Sequence, residues 1–294
     1  MSVNSCYKFE KTEYKDGLLS NCVDATYIIH LEGNGRLKSI QNQLKEYHPT
    51  NILYIVYNKG YKKCEKPKYV KNTARDLVDA NLQIFKHAEQ QGYGNILILE
   101  DDFMFSEKIK ETRHIDNICN HLKNNAHSTT PYALGCIPFL IFPIDLNNYA
   151  GIIGGTHCVI FNKPTRSRIL SIGQENIKDW DIHSCLNYPF IKRHYYLPIC
   201  YQLWPETENA KNWGIEYGKW FSYFYFKTLL FIFKMLKLDK QPEPGFTILC
   251  AFGKLFSLLV GFLILFFLYK IGKFVINMFP KISKYTLKWQ KKFT

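Results

Sequence analysis

The hydrophobic pattern of the chain switches between two periods from residue 25 to residue 103. Short apolar runs lie at 25–31 (ATYIIHL), 51–57 (NILYIVY) and 95–99 (NILIL), and each is bounded by polar residues, Gly or Pro. Residues 36–47 and 73–91 carry apolar side chains at helical spacing between these runs. Such short runs predict buried strands. Their order predicts two β–α units that lead into a third strand, with right-handed crossovers and a parallel, Rossmann-like sheet.

The pattern on either side of this region is weaker. Residues 1–24 show no clear period and predict a loosely packed lead-in. A helix is predicted from Ser106 to Lys123, followed by a polar break. The remaining predicted elements are short strands at 132–137, 139–142, 150–153 and 157–161, short helices at 164–172 and 178–187, and a last strand at 195–201.

The C-terminal region has a different character. Residues 219–240 place five lysines within roughly 140° of a helical wheel, opposite an aromatic face, which is typical of a helix lying in a membrane interface. A Pro- and Gly-containing break follows at 241–245, and residues 246–269 hold Lys254 as their only charge. This segment is long enough to span a bilayer. It could also re-enter, with both ends on one side, lie on the membrane, or be a buried hairpin of a soluble protein.

The charge distribution supports a membrane association. The net charge is +13, and the segment from Glu216 onward holds 13 Lys and Arg against three acids. The excess positive charge therefore coincides with the most apolar part of the chain, which favours a membrane surface over nucleic acid. The predicted organisation is a lead-in (1–24), an α/β domain (25–215), a basic interfacial helix with its linker (216–245), and a membrane segment with a basic tail (246–294).

The nine cysteines predict a reducing environment. They are scattered without a Cys-x-x-Cys pair, so neither a zinc site nor a redox motif is indicated. The polar N-terminus contains no apolar stretch of a secretory leader, and no Asn stands in a glycosylation sequon. These features together favour free thiols and a domain that faces the cytosol.

Three consecutive carboxylates form the strongest candidate site. Glu100, Asp101 and Asp102 directly follow the third predicted strand, where open α/β sheets bind their ligands. Adjacent carboxylates repel one another unless a cation compensates them, and oxygen ligands suit Mg²⁺ or Mn²⁺. The alternative is the acidic first turn of a helix. The Lys- and Tyr-rich residues 59–71 are either a solvated loop or a lid whose lysines meet phosphate.

The chain carries YIIHLEGNGRLKSIQNQL at 27–44 and, at 73–103, a helical pattern and an apolar strand ending in ILEDDF. The first segment resembles the opening strand, Arg-containing turn and helix of glycosyltransferase family 25, and the second resembles its helix and LEDD strand. This family includes lipopolysaccharide-type and collagen galactosyltransferases. GTHCVIFNKPTRSRIL at 155–170, DWDIHSCLN at 179–187 and YLPICYQ at 196–202 are similar to later family segments. The sequence departs from the family at 30–33 and lacks the usual Gly-Cys-x-x-Ser-His before residue 73.

The resemblance implies a GT-A fold that binds a nucleotide sugar together with Mn²⁺ or Mg²⁺. The expected nucleotide sugar is a UDP-sugar. The metal would be held by Asp102, with Glu100 and His183. The base that deprotonates the acceptor would be Asp181, with Asp179 beside it, although both also suit the N-cap of a helix. The donor would contact Glu100, Asp101, Gly155, Thr156, His157 and Gln202. A structural histidine and a simple glycine turn remain the alternatives for His157, His183 and Gly155.

The sequence thus predicts a metal-dependent glycosyltransferase that transfers a hexose, such as galactose or glucose, with inversion. Its acceptor would be a glycan, a lipid-linked molecule or a protein at the membrane. The alternative is a catalytically inactive transferase fold that serves as a membrane-tethered interaction module. A nucleotidyl- or phosphotransferase would share the acids, but the sequence contains no Gly-rich phosphate loop with its Lys.

Overall fold

The computed structural model describes residues 5–177, 180, 192–204 and 218–290, without the side chains of 221, 222, 225 and 278–290. The chain is a mixed α/β domain followed by two C-terminal helices. The strands are β1 (Tyr7–Glu13), β2 (Ala25–Leu31), β3 (Ile52–Asn58), β4 (Asn95–Glu100), β5 (Phe103–Phe105), β6 (Tyr132–Pro143), β7 (Asn148–Asn162), β8 (Lys192–Tyr195) and β9 (Cys200–Gln202). The helices are α1 (Leu37–Glu46), α2 (Thr73–Gln90), α3 (Thr112–Asn124), α4 (Lys163–Leu170), α5 (Lys219–Met235) and α6 (Gly245–Gln290).

A seven-stranded sheet organises the domain in the order β1-β3-β2-β4-β7-β6-β8. Strand β2 lies between β3 and β4 and is parallel to both, as the β–α–β pattern predicts. The other pairings in this sheet are antiparallel, except for a short parallel contact between β6 and β8. The sheet is therefore mixed, with its parallel part at the three strands that the sequence predicts best.

The central strands are buried on both faces. In β4, Ile96 and Ile98 join the apolar cluster that contains α2, whereas Leu97 and Leu99 join the cluster on the opposite face. This alternation explains why the strand reads as a continuous apolar run. The side chain of Asn72 caps α2 by accepting a hydrogen bond from the Arg75 amide, which satisfies one of the free donors of the first turn.

Four predictions about local structure differ from the structure. The N-terminal region is not a loose lead-in, because β1 pairs in antiparallel register along the whole of β3. The four short strands predicted between residues 132 and 161 are two long ones, β6 and β7. The helix predicted from Ser106 is a 3₁₀ turn (Glu107–Lys110) followed by α3. The last strand, predicted at 195–201, is replaced by two short strands, β8 and β9.

The prolines and glycines in β6 and β7 mislead a pattern-based prediction because they lie at irregularities of the strands. The register between the two strands shifts at three places, and one of the shifts lies between Pro138 and Leu140. Proline lacks the amide that a regular ladder needs and is tolerated at bulges. The strand therefore continues through residues that ordinarily end one.

The C-terminal helices pack on the domain at one end only. Phe233 of α5 and Phe246 of α6 are buried in a small apolar cluster with Ile137 and Tyr201. Lys237 and Lys240, predicted to extend the first helix, lie in the turn that follows α5 instead. Helix α6 continues to Gln290 without a turn, which does not fit a re-entrant hairpin, one of the arrangements that the sequence leaves open. Its segment Gly245–Asn277 is long and apolar enough to cross a membrane by length and composition.

Two disulfides correct the prediction of free thiols. Cys6 pairs with Cys64, and Cys22 pairs with Cys119. Disulfides persist in oxidising compartments and are rare in the cytosol, so the cysteines no longer favour a cytosolic domain. Spacing along the sequence did not indicate these pairs because they join residues 58 and 97 positions apart.

We expect four of the nine cysteines to resist alkylation when the protein is unfolded without a reductant. The disulfides remain closed under these conditions, so a maleimide reagent should not modify Cys6, Cys22, Cys64 or Cys119 until reductant is added. Peptide mass spectrometry measures this directly. The buried thiols Cys158 and Cys200, which belong to neither disulfide, provide the control and should be labelled as soon as the chain unfolds. Labelling of the first four without reductant would contradict the pairing.

Candidate functional site

The carboxyl ends of β2 and β4 meet at the centre of the sheet. Because the chain passes from β2 to β3 on one side and then crosses to β4 on the other, this is a topological switch point. Loops that leave neighbouring parallel strands in opposite directions open a crevice between them, where α/β proteins bind ligands. The turn at 32–36 and the acids at 100–102 line this crevice.

Asp101 ties the turn after β2 to the end of β4. Its carboxylate accepts hydrogen bonds from the Leu31 amide at 3.3 Å, from Arg36 Nη1 at 2.6 Å, and from the Asn34 side chain. Burial alone would raise the pKa of Asp101, but nearby His30, Arg36 and Asn34 outweigh it, and the pKa is lowered. Asp101 is therefore ionised, and both of its oxygens are engaged by the protein itself.

Asp102 differs from Asp101 because one of its oxygens is left without a partner. Oδ2 accepts hydrogen bonds from Arg36 Nη1 at 2.9 Å and from Gln202 Nε2 at 3.1 Å. Oδ1 is buried and has no hydrogen-bond partner in the part of the chain that the structure describes. Burial raises the pKa of Asp102, and the charge of Asp101 adds to this effect while Arg36 opposes it. Asp102 is thus a carboxylate whose ionised form a further cation would stabilise.

Gln202 reaches Asp102 through a second, two-stranded sheet. Strand β5 begins at Phe103, directly after Asp102, and Phe103 pairs with Gln202 of β9. Glu100 is held from another direction, since the Thr156 hydroxyl donates a hydrogen bond to its Oε1 at 2.7 Å. Strand β7, which carries Thr156, runs antiparallel to β4. Three separate segments of the chain therefore converge on the acids.

His157 is a neutral imidazole at the edge of this site. Burial lowers its pKa to about 4, although hydrogen bonding to the Cys200 carbonyl and the Gln202 side chain opposes this effect. Nε2 lies 3.3 Å from the Cys200 carbonyl oxygen, which requires Nε2 to be the donor. Nδ1 is then an acceptor, and it has no partner. A side chain at Gly135 would prevent this contact, because its Cβ would lie 2.0 Å from the Cys200 oxygen.

A cavity beside Thr156 contains a buried amine. Lys192 is only 2 % exposed, and among the described residues its Nζ has no hydrogen-bond partner. The other residues that line this cavity are Thr129, Pro131, Val159, Phe161, Thr165, Ile169, Ile172, Ile177 and Trp180. The lining is mostly apolar, and a buried donor of this kind is costly unless a polar partner completes it.

The structure brings most of the predicted site residues together. Those near the switch point are Glu100, Asp101, Asp102, Gly155, Thr156, His157 and Gln202. The predicted base residues Asp179 and Asp181 and the predicted metal ligand His183 lie outside the described residues. The sequence prediction did not include Asn34, Arg36 or Lys192 in the site. A polar, Gly-rich turn directly after the first parallel strand was the available signal for Asn34 and Arg36.

Arg36 is the cation that compensates the acids within the protein. Two of the three carboxylates, Asp101 and Asp102, ion-pair with this one guanidinium, and Asp102 Oδ1 has no hydrogen-bond partner among the described residues. No group of three His, Cys, Asp or Glu side chains converges on one point among the described residues. Mg²⁺ commonly takes one or two carboxylates and completes its shell with substrate phosphates and water. The residues present therefore fit a divalent cation that binds together with a diphosphate.

Comparisons with known proteins leave the geometry as the basis for a functional conclusion. Neither a protein-family model nor a curated protein matches this chain.

Proposed function

We propose that the chain is a metal-dependent glycosyltransferase that transfers a hexose from a nucleotide sugar to a hydroxyl acceptor at a membrane. The observation that carries this proposal is the unpartnered, buried Oδ1 of Asp102 at the switch point of the sheet. The resemblance to glycosyltransferase family 25 implies a GT-A fold in which carboxylates follow the strand that corresponds to β4. The mixed sheet, with its parallel centre at β2, β3 and β4, is compatible with such a fold.

Each acid has a distinct part in this proposal. Asp102 would hold Mn²⁺ or Mg²⁺, and a bound cation neutralises the charge that develops on a leaving diphosphate. Asp101 positions the turn after β2 through Asn34 and Arg36, and so shapes the donor side of the crevice. Glu100, oriented by Thr156, would contact the cation's shell or the ribose.

The acceptor side needs a base. In an inverting displacement, the acceptor oxygen forms a bond to the anomeric carbon while the bond to the diphosphate breaks. The acceptor proton passes to a carboxylate on the opposite face of the sugar. Asp181, or Asp179 beside it, is the proposed base on the strength of the family resemblance. The apolar helix α6 suggests a lipid-linked or membrane-proximal acceptor.

The ion pairs of Arg36 favour one alternative function. Because Arg36 already bonds to both Asp101 and Asp102, the acids have a partner within the chain. A catalytically inactive domain that serves as a membrane-tethered interaction module could retain such an internal ion pair for its stability. Such a module would have no reason to bind a nucleoside diphosphate in a metal-dependent way.

The test is a panel of nucleotide sugars offered to the full-length protein in detergent or nanodiscs with Mn²⁺ or Mg²⁺. We expect transfer, or slow hydrolysis, of one hexose donor, and loss of the activity with a chelator. Calorimetry with nucleoside diphosphates and metal separates the two functions. Binding that needs the metal supports the enzyme, and absence of both binding and turnover supports the interaction module.

Replacing Lys192 by Met should weaken nucleoside diphosphate binding roughly tenfold, the effect of one lost hydrogen bond to a charged group. It should not lower the thermal midpoint, because the amine has no hydrogen-bond partner to lose. Lys192→Arg, which keeps the charge, should retain part of the affinity. Titration calorimetry gives the affinities, and Lys163→Met, at an exposed position, serves as the control. If Lys192→Met binds the nucleoside diphosphate with unchanged affinity, the Lys192 amine does not contact this ligand.

A further inference from the structure

Exposed large apolar side chains are concentrated at one place in the domain. Outside α5 and α6, the described residues contain four such side chains, and three of them lie at the turn between β6 and β7. Phe142 is 44 % exposed, Ile144 is 48 % exposed and Leu146 is 96 % exposed. We call residues 142–146 the hairpin tip. Single exposed apolar residues are ordinary, but such a group within five residues marks an interaction surface.

Helix α6 runs along β6 toward this tip. A side chain at Gly253 would lie 2.4 Å from the Pro138 carbonyl oxygen, so the helix touches the strand there. One turn later, Ser257 Oγ accepts a hydrogen bond of 2.8 Å from the Ile141 amide. Helix and strand therefore advance in the same direction. Among the residues of α6 whose burial is described, up to Asn277, Ser257 is the last buried one, and the helix leaves the domain beside the hairpin tip.

The exposed part of α6 is long enough to cross a bilayer. Beyond Ser257, the residues whose side chains are described, 258–277, make about 20 residues or roughly 30 Å of helix, with Lys270 and Lys273 as their only charges. This is the thickness of the hydrocarbon core. A membrane crossed by these residues would begin where the helix separates from β6, which is the level of the tip.

Several polar groups of the tip are already hydrogen-bonded within the protein. The Ile144 amide donates to the Asn148 carbonyl at 3.0 Å. The Asp145 carboxylate accepts from the Asn147 amide at 2.8 Å and from the Asn148 side chain at 2.9 Å. Moving the tip out of water therefore leaves these groups hydrogen-bonded. The charge of Asp145 limits the depth to the headgroup region and the upper acyl chains.

We propose that the hairpin tip is a second membrane contact, with Phe142, Ile144 and Leu146 inserted into the leaflet from which α6 emerges. The occupant of this surface is the lipid bilayer, because the tip adjoins the one described helix that is suited to crossing it. Two attachment points, the helix and the tip, prevent the domain from rotating about α6. The contact is independent of the chemistry at Asp102.

Fluorescence of Leu146→Trp in nanodiscs tests this contact in the full-length protein. Its additional emission, taken as the difference from the wild type, should be blue-shifted and should lose at least half its intensity in brominated phosphatidylcholine. Lys45→Trp, at an exposed position of α1, is the matched control and should be neither shifted nor quenched.

Two outcomes would overturn the proposal. If the Leu146→Trp emission stays at the wavelength of water-exposed Trp and is not quenched, the tip faces solvent. If the emission is blue-shifted but insensitive to brominated lipid, protein rather than lipid covers the tip, either a second copy or another partner. The substitution adds bulk at a surface position, so the fold should be kept, and circular dichroism provides that check.

Discussion

Asp102→Asn is expected to lower the rate of sugar transfer by roughly 10²–10³-fold, the scale observed when one electrostatic contact to a developing charge is removed. The amide keeps the shape of the carboxylate but has no negative charge to hold a cation. Metal-dependent binding of a nucleoside diphosphate should be lost with the activity. Initial rates with the best donor, together with calorimetry in the presence of Mn²⁺, measure both effects.

The same substitution should change stability little, which separates catalysis from folding. The charge of Asp102 carries a burial penalty that raises its pKa, and the neutral amide removes this penalty together with the attraction of Arg36. Asp116→Asn, at an exposed position of α3, is the matched control and should retain full activity. Full activity in Asp102→Asn would exclude Asp102 from the metal site.

Lys66→Met is expected to destabilise the domain by about 3–5 kcal/mol, the usual cost of removing one partner from a buried ion pair. The Lys66 side chain is 1 % exposed and forms an ion pair with Asp76. A second carboxylate is close by, since Lys66 Nζ lies 3.9 Å from Asp79 Oδ2. Its amine also donates to Asn58 Oδ1 at 2.8 Å. Without the amine, two buried carboxylates would face each other with no cation between them. Denaturant unfolding followed by near-UV circular dichroism measures the loss.

Two further variants test the cause of this loss. Lys68→Met removes an exposed charge from the same loop and should change the unfolding free energy by less than about 0.5 kcal/mol. Adding Asp76→Asn to Lys66→Met should recover part of the stability, because one unpaired charge is removed with its partner. An equal loss in Lys66→Met and Lys68→Met would contradict the ion-pair explanation.

The Lys66 network changes the expectation for residues 59–71 at one position, because the other lysines of the loop are exposed, as a solvated loop requires: Lys59, Lys62, Lys63, Lys68 and Lys71. Lys66 neither points into solvent nor is free to meet phosphate. The neighbouring Tyr7 hydroxyl donates to Asp79 at 2.7 Å, and burial together with Asp79 and Asp76 raises the pKa of Tyr7. The disulfide at Cys64 fixes this loop to the start of β1. The loop is thus a fixed part of the domain.

The local pattern of apolar and polar residues was sufficient to predict the elements that are buried on both sides. Composition and hydrophobic period alone predict the strands β2, β3 and β4 and the broad apolar side of α2. Strand β1 escaped this kind of prediction because it lies at the edge of the sheet and only Tyr7 of its seven residues is buried. An edge strand has little periodic signal, so its existence depends on the neighbour with which it pairs.

The sequence by itself determined the parallel centre of the sheet, the position of the three acids after β4, and the separation of a basic, apolar C-terminal part. All of these follow from residues that are adjacent in the chain. The tertiary structure decided which acid keeps an oxygen for a further ligand. Arg36 and Gln202 reach Asp102 from 66 and 100 residues away, and both bond to Oδ2, so Oδ1 is left without a hydrogen-bond partner among the described residues. Such contacts depend on the packing of distant segments, which no local period encodes.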